Sequence, residues 1–102
     1  MAAVVAMSSP ATTNASADSP PEVVQFHAWT PGDDYWILEG YVVDEEICFI
    51  TLDGILYDEG FSESDGYFQF VYHFPYGVGG EVTATAYDRS GQSGSASAYI
   101  LY

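Results

Sequence analysis

From Val23 to the C-terminus, apolar and polar residues alternate in short runs, and acidic or glycine-containing turns separate the runs. Alternation with a period of two marks strands that bury one face, because successive side chains point to opposite sides of a sheet. Val23 to Trp29 is predicted as a first strand, with Val24, Phe26 and Ala28 on one face, and Pro31 to Asp34 as the turn that follows. Trp36 to Val43 forms a second strand, its set Trp36, Leu38, Gly40 and Val42 facing inward. Ile47 to Leu52 forms a third, Asp53-Gly54 supplies a two-residue hairpin signal, and Ile55 to Tyr57 continues beyond it. Tyr67 to Phe74 places Phe68, Phe70, Tyr72 and Phe74 on one face; Glu81 to Asp88 places Val82, Ala84 and Ala86 together; Ser97 to Leu101 closes the series.

About seven strands at this spacing, with no sustained helical period, predict an all-β fold, an antiparallel β-sandwich. The inner positions pair large with small. Trp36, Phe49, Phe68 and Phe70 are set against Gly40, Ala84, Ala86, Ala96 and Ala98, which lets two sheets interdigitate. Asp88-Arg-Ser-Gly91 fits a type I turn.

Residues 1–21 differ in composition. Ser8 to Pro21 is small, polar and proline-containing, and reads as a flexible tail or linker ahead of a folded domain at 22–102. Met1 to Met7 lacks the basic start and long apolar run of an export signal, yet Ala15-Ser-Ala17 has the form of a cleavage site. The tail is therefore read as a linker or as the remnant of an export signal behind a mis-assigned start. Asn14-Ala-Ser16 matches the glycosylation triplet, and chance accounts for it in a Ser/Thr-rich stretch.

The chain of 102 residues has 15 acidic residues against one basic residue, Arg89, for a formal charge of −14. This argues against nucleic acid and against anionic membrane surfaces, both of which need clustered Lys and Arg. It suits cations, a basic partner, or simple solubility through suppressed edge-to-edge pairing. No apolar stretch is long enough for a membrane span. Cys48 stands alone, so no disulfide forms within the chain, and its mid-strand place predicts a small core hydrophobe.

The order Trp36-x-Leu38-x-Gly40-x-Val42-x-Asp44, Asp53-Gly54, Asp65-Gly66-x-Phe68 and Gly80-x-Val82-Thr83-Ala84-x-Ala86-x-Asp88-x-x-Gly91-x-Ser93 resembles bacterial immunoglobulin-like domains, with fibronectin type III domains as a neighbouring form. The resemblance covers about residues 36–100. It implies an immunoglobulin-like sandwich, an adhesion, spacing or binding role in a bacterial surface or secreted setting, and no active site. A single short chain with nine tyrosines departs from a pure spacer.

Candidate chemistry falls into three classes. Catalysis lacks a base beside a nucleophile: His27 and His73 lie mid-strand, no Gly-x-Ser-x-Gly elbow occurs, and abundant acids make a carboxylate pair uninformative. No enzyme activity and no obligate cofactor are expected. Calcium could be held by Asp33, Asp34, Asp44, Glu45, Glu46 and Asp88 if the strand ends converge at one pole, although turn preference alone explains several of them. A protein or glycan partner could be held on a face carrying Trp29, Tyr35, Tyr41, Tyr57, Tyr67, Tyr87 and Tyr99; the same rings could instead serve as cross-strand pairs. The expectation is a non-catalytic extracellular binding or adhesion module, with a small carbohydrate-binding domain and a calcium-stabilised adhesion module as alternatives. The pattern leaves the oligomeric state open.

Overall fold

The computed structural model describes residues 19–33, 35–73 and 79–100. Seven strands run in order: β1 Glu22–Gly32, β2 Tyr35–Val43, β3 Phe49–Gly54, β4 Asp58–Phe61, β5 Tyr67–His73, β6 Gly80–Tyr87 and β7 Ser93–Ile100. They form a three-stranded sheet in the order β1-β2-β5 and a four-stranded sheet in the order β4-β3-β6-β7, antiparallel throughout. The tail to residue 18, Asp34, Phe74 and Leu101 lie outside the described residues. Pro21, assigned to the tail by composition, is buried.

Alternation on β2 and β6 builds the core as the pattern predicts. Trp36, Leu38 and Val42 enter from one sheet, and Val82, Ala84 and Ala86 from the other, joined by Phe68, Cys48, Ile50, Leu52 and Ile100. Gly40 shows the small-against-large fit. A Cβ there would sit 3.1 Å from the Phe26 backbone and 3.1 Å from the Phe68 ring. Burial of this kind is worth about 25 cal/mol per Å² of apolar surface removed from water, and it is the main force holding the sheets together.

Three expectations are corrected. Phe49 is not a core residue. Cys48, just ahead of β3, and Ile50 and Leu52 on it take the inward beat, so Phe49 faces out between Phe61 and Tyr87, with ring centroids 5.4 and 6.3 Å away. Asp53-Gly54 is not a hairpin turn. Both residues pair with β6, opposite Thr83 and Val82, and the Ile55 amide donates to the Glu81 carbonyl, so Ile55 to Tyr57 is the connection before β4. Gly54, at φ +124°, lies so close to the Glu81 carbonyl that a Cβ would collide with it. On β1 the inward residues are Val23, Phe26 and Ala28, because a bulge at Gln25 (φ 55°) inserts one residue and displaces Val24.

The open sides are closed differently. Near β4 and β5, the Tyr72 hydroxyl donates to Asp58, and Gly60 allows the Phe70 ring to approach. Near β1 and β7, Gly94 admits the Pro21 carbonyl. The turn after β6 is the expected one: Gly91 N–H donates to the Asp88 carbonyl at 3.1 Å, and Gln92 N–H to Asp88 Oδ1 at 2.9 Å.

Two substitutions check this packing in urea melts. Ala84→Phe is expected to cost about 1–3 kcal/mol by overpacking. Gly54→Ala is expected to cost about 2–3 kcal/mol, since it joins a disfavoured φ to a backbone collision. A neutral Ala84→Phe would place residue 84 on the surface.

Candidate functional site

The outer face of the three-stranded sheet carries residues in registered rows. Tyr35 lies opposite His73; Trp29, Ile37 and Val71 form the next row; His27, Glu39 and Gln69 the next; Tyr41 and Tyr67 the last. Adjacent strands lie about 4.8 Å apart, so side chains along a row are direct neighbours.

Glu39 is the hub. Its Oε1 accepts from the Tyr67 hydroxyl at 2.6 Å and from Gln69 Nε2 at 3.5 Å. Its Oε2 accepts from Trp29 Nε1 at 2.8 Å and lies 3.1 Å from His27 Nε2. Gln69 also donates to the Tyr67 oxygen at 2.9 Å, and His27 Nδ1 lies 2.8 Å from the Gln25 carbonyl. One carboxylate on β2 thus gathers donors from both neighbouring strands, β1 and β5. These bonds stabilise the ionised form, so the Glu39 carboxyl lies below its ordinary range, the Tyr67 hydroxyl being the first cause. Reciprocally, Tyr67 is pushed up to about 12 because its proton is held by that carboxylate.

The bulge at Gln25 decides which residues reach this hub. Strict alternation from buried Val23 would turn His27 and Trp29 inward; the extra residue turns them out and sends Phe26 and Ala28 into the core. Around the hub stand partly exposed rings. Tyr41 packs against Tyr67 with centroids 5.4 Å apart, and Tyr35 meets His73 edge-on at 5.0 Å. Hydrogen bonding to Glu39 fixes two of the large rings, Trp29 and Tyr67, so little conformational entropy remains for a partner to remove.

The seven aromatic residues named from the sequence do not share one face. Trp29, Tyr35, Tyr41 and Tyr67 belong to this surface, whereas Tyr87 and Tyr99 stand on the outer face of the four-stranded sheet and Tyr57 on the connection beside it. There Thr51, Thr83 and Thr85 floor an open groove of about 450 Å³ between Tyr57 and Tyr87, with Asp53 at its rim. Thr83 bonds Ser97 at 2.8 Å, and Tyr57 donates to Glu59 at 2.6 Å.

The acidic set is divided as well. Asp33 lies in the turn joining β1 to β2, and Asp44, Glu45 and Glu46 follow the far end of β2. A strand of that length separates them by about 25–30 Å. The acids at the second pole have local work. Asp44 Oδ1 accepts from the Glu45 and Glu46 amides, Glu46 pairs with Arg89 at 3.5 Å, and Asp88 closes its turn. Among the described residues no group of three or more His, Cys, Asp or Glu is arranged to hold a metal. Cys48 is fully buried, and burial first, then the nearby carboxylates, raises its thiol to about 11, which keeps it a protonated core group.

Sequence reasoning missed Glu39, His27 and Gln69. The available signal was polar residues at the outward beats of strands whose inward beats are strongly apolar. Glu39→Gln is expected to cost about 1 kcal/mol at pH 7, the scale of a charge-assisted bond at a partly exposed site. Because the folded carboxyl titrates below its unfolded value near 4.3, that stabilisation is present above about pH 4.3 and is lost as pH falls through the lowered value. Urea melts of both proteins should therefore differ at pH 7 and converge near pH 2; an equal gap at both would remove charge from the explanation.

No protein-family model matches the sequence, and no curated protein matches it. Among solved structures, the chain is similar to one titled "Structure of FN3tt mut", with a TM-score of 0.56 at 18% identity, over 81% of this chain and 97% of that one. At that identity the likeness concerns the fold: an all-β sandwich of the immunoglobulin-like, fibronectin type III-like kind.

Proposed function

We propose that this chain is a non-catalytic binding module of the extracellular, adhesion type, and that it meets its partner through the outer face of the three-stranded sheet. The observation that carries this reading is the Glu39 hub. A carboxylate holding Trp29 and Tyr67 across three strands keeps two large rings fixed at the surface, and fixed aromatic rings around a satisfied polar centre are the usual make-up of interface hot spots. Ile37, Val71 and Tyr35 extend the apolar area beside it. The strong negative charge favours a partner with an excess of Lys or Arg, whose cations can lie over the exposed rings and be steered by the field. A bacterial surface or secreted setting fits the same features and is part of the proposal. Calcium is not part of this reading: Asp33 lies at the other end of β2 from Asp44, Glu45 and Glu46, and Asp44, Glu46 and Asp88 already hold local bonds.

A second reading rests on the other sheet. The groove between Tyr57 and Tyr87 has a threonine floor and ring walls, a chemistry that suits a sugar, with hydroxyls bonding its edges and rings stacking on its faces.

Both readings are tested by selecting binders from a displayed library of Lys- and Arg-containing peptides and by a parallel glycan array. The first reading expects selected peptides to lose about 10-fold or more in affinity with Trp29→Ala or Tyr41→Ala, and to be indifferent to Tyr99→Ala on the opposite face. Glycan binding that depends on Tyr57 and Tyr87 would support the second reading. Peptides that respond to none of the Trp29, Tyr35 or Tyr41 changes would overturn the first.

A further inference from the structure

Resting on the sugar reading of the groove between Tyr57 and Tyr87, we infer that its ligand is a cationic sugar: a glycan of free amino sugars, whose ring lies between the two tyrosines and whose ammonium groups meet Asp53 and Glu59 at the edge. The groove of about 450 Å³ falls within the range of roughly 300–1,000 Å³ usual for small-ligand sites. The outward beats of β3 and β6 set its residues in register. Thr51 lies opposite Thr85, and Asp53 opposite Thr83; on the other side of β3, Thr51 lies opposite Glu59. Thr51 is therefore flanked by a threonine on one side and a carboxylate on the other.

Three kinds of group meet in this groove. The Thr51 and Thr85 hydroxyls have no protein partner among the described residues, whereas Thr83 is turned to Ser97. Tyr57 and Tyr87 are both exposed and line the groove, so each ring offers it apolar surface. Asp53 uses one oxygen for the Gly54 amide at 2.8 Å, and Glu59 one for the Tyr57 hydroxyl at 2.6 Å; Asp53 Oδ2 and Glu59 Oε1 have no protein partner among the described residues. The chain's one basic residue, Arg89, sits beside Glu46 and neutralises neither. The two carboxylates converge on Tyr57. Its phenol lies above its ordinary value, first because Glu59 holds its proton, with smaller contributions from the Asp53 charge and from Tyr87 nearby.

Other occupants leave part of this arrangement unused. A neutral sugar would bond the threonines and stack on the rings, but it would take water from the carboxylates without supplying a counter-charge, which lowers affinity. A uronic or sialic acid would be repelled by both carboxylates and by a chain charge of −14. A Lys- or Arg-rich peptide would answer the carboxylates and the rings, yet bring no row of hydroxyls to the threonine floor. A sugar with free ammonium groups answers all three. Its hydroxyls bond Thr51 and Thr85, its C–H face packs on a tyrosine ring, and its N–H donors make charge-assisted bonds to Asp53 and Glu59. Registered neighbours lie about 4.8 Å apart across strands, and alternate residues about 7 Å apart along one, so a single pyranose ring touches the floor and a carboxylate together.

Isothermal titration calorimetry of the full chain with three β-1,4-linked trimers tests the inference: triglucosamine, its fully N-acetylated form, and the glucose trimer. Triglucosamine is expected to bind about 10-fold or more tightly than the other two. The gap should narrow between 0.05 and 1 M NaCl as the ion pairs are screened. The double variant Asp53→Asn, Glu59→Gln keeps acceptors for the Gly54 amide and the Tyr57 hydroxyl while removing both charges. With its fold checked by circular dichroism, it should bind all three trimers alike. The ligand comparison uses the unaltered chain, so it decides the matter even where a variant fails to fold. Equal binding of the three trimers, lost on Tyr87→Ala, overturns the inference and leaves the groove a site for neutral sugars. Binding of none of them overturns the sugar reading as well. Triglucosamine binding that persists unchanged in the double variant, or that trilysine matches with comparable charge and no sugar ring, would mean diffuse attraction to an acidic chain and overturns the inference too.

Discussion

The structure depends on a single constraint in the middle of the three-stranded sheet: β2 must serve two environments at once. Its inward beats, Trp36, Leu38, Gly40 and Val42, fill the core, while Glu39 sits on the outward beat among them. A slip of one residue would bury the carboxylate and expose Leu38, so the register is held by two penalties acting together, lost apolar burial and an unpaired buried charge. The same constraint fixes both neighbours. β5 must bring Gln69 and Tyr67 beside Glu39, and β1 must bring His27 and Trp29.

That requirement explains a backbone feature that would otherwise look like a defect. Gln25 has a positive φ, which a residue with a side chain adopts at a cost of about 1–2 kcal/mol. The extra residue reconciles Val23 in the core with Trp29 on the outer face, two demands that a regular strand could not meet together. The strain at Gln25 is offset by burying Val23, Phe26 and Ala28 on one side and by the bonds from His27 and Trp29 to Glu39 on the other.

Most of the fold could be read from the sequence, because alternation, turn residues and the large-against-small pairing all point the same way. β2 and β6 match the pattern residue by residue, and the Asp88 to Gly91 turn closes as its residue types require. The errors fall where two readings of the same residues compete. In Cys48 to Leu52 nearly every position is apolar, so alternation alone admits Phe49 on the inner face; three inward partners, Cys48, Ile50 and Leu52, outweigh one ring. Asp53-Gly54 carries hairpin chemistry, but pairing with β6 satisfies its backbone, and the glycine serves a close approach instead. The site was less legible than the fold. Four of the seven aromatic residues belong to the candidate face, yet assigning residues to one sheet or the other needs strand order, and strand order is a long-range property that local alternation does not contain.

The acidic composition acquires a different meaning once the residues are placed. Much of it is local. Asp44, Asp53, Asp58, Asp65 and Asp88 each accept a backbone N–H in a turn or at a strand end, which is reason enough for an aspartate there. Glu39 and Glu59 accept from ring donors, and Asp58 takes the Tyr72 hydroxyl across the gap between sheets. The tyrosines and the acids are therefore one system, in which hydroxyls of Tyr57, Tyr67, Tyr72 and Tyr99 are directed to carboxylates. Pairing acids with neutral donors instead of lysines leaves the negative field uncancelled while giving many carboxylates a bond. Such a surface keeps its long-range charge for steering or repulsion and still holds its rings in place, which a surface built from ordinary salt bridges would not do.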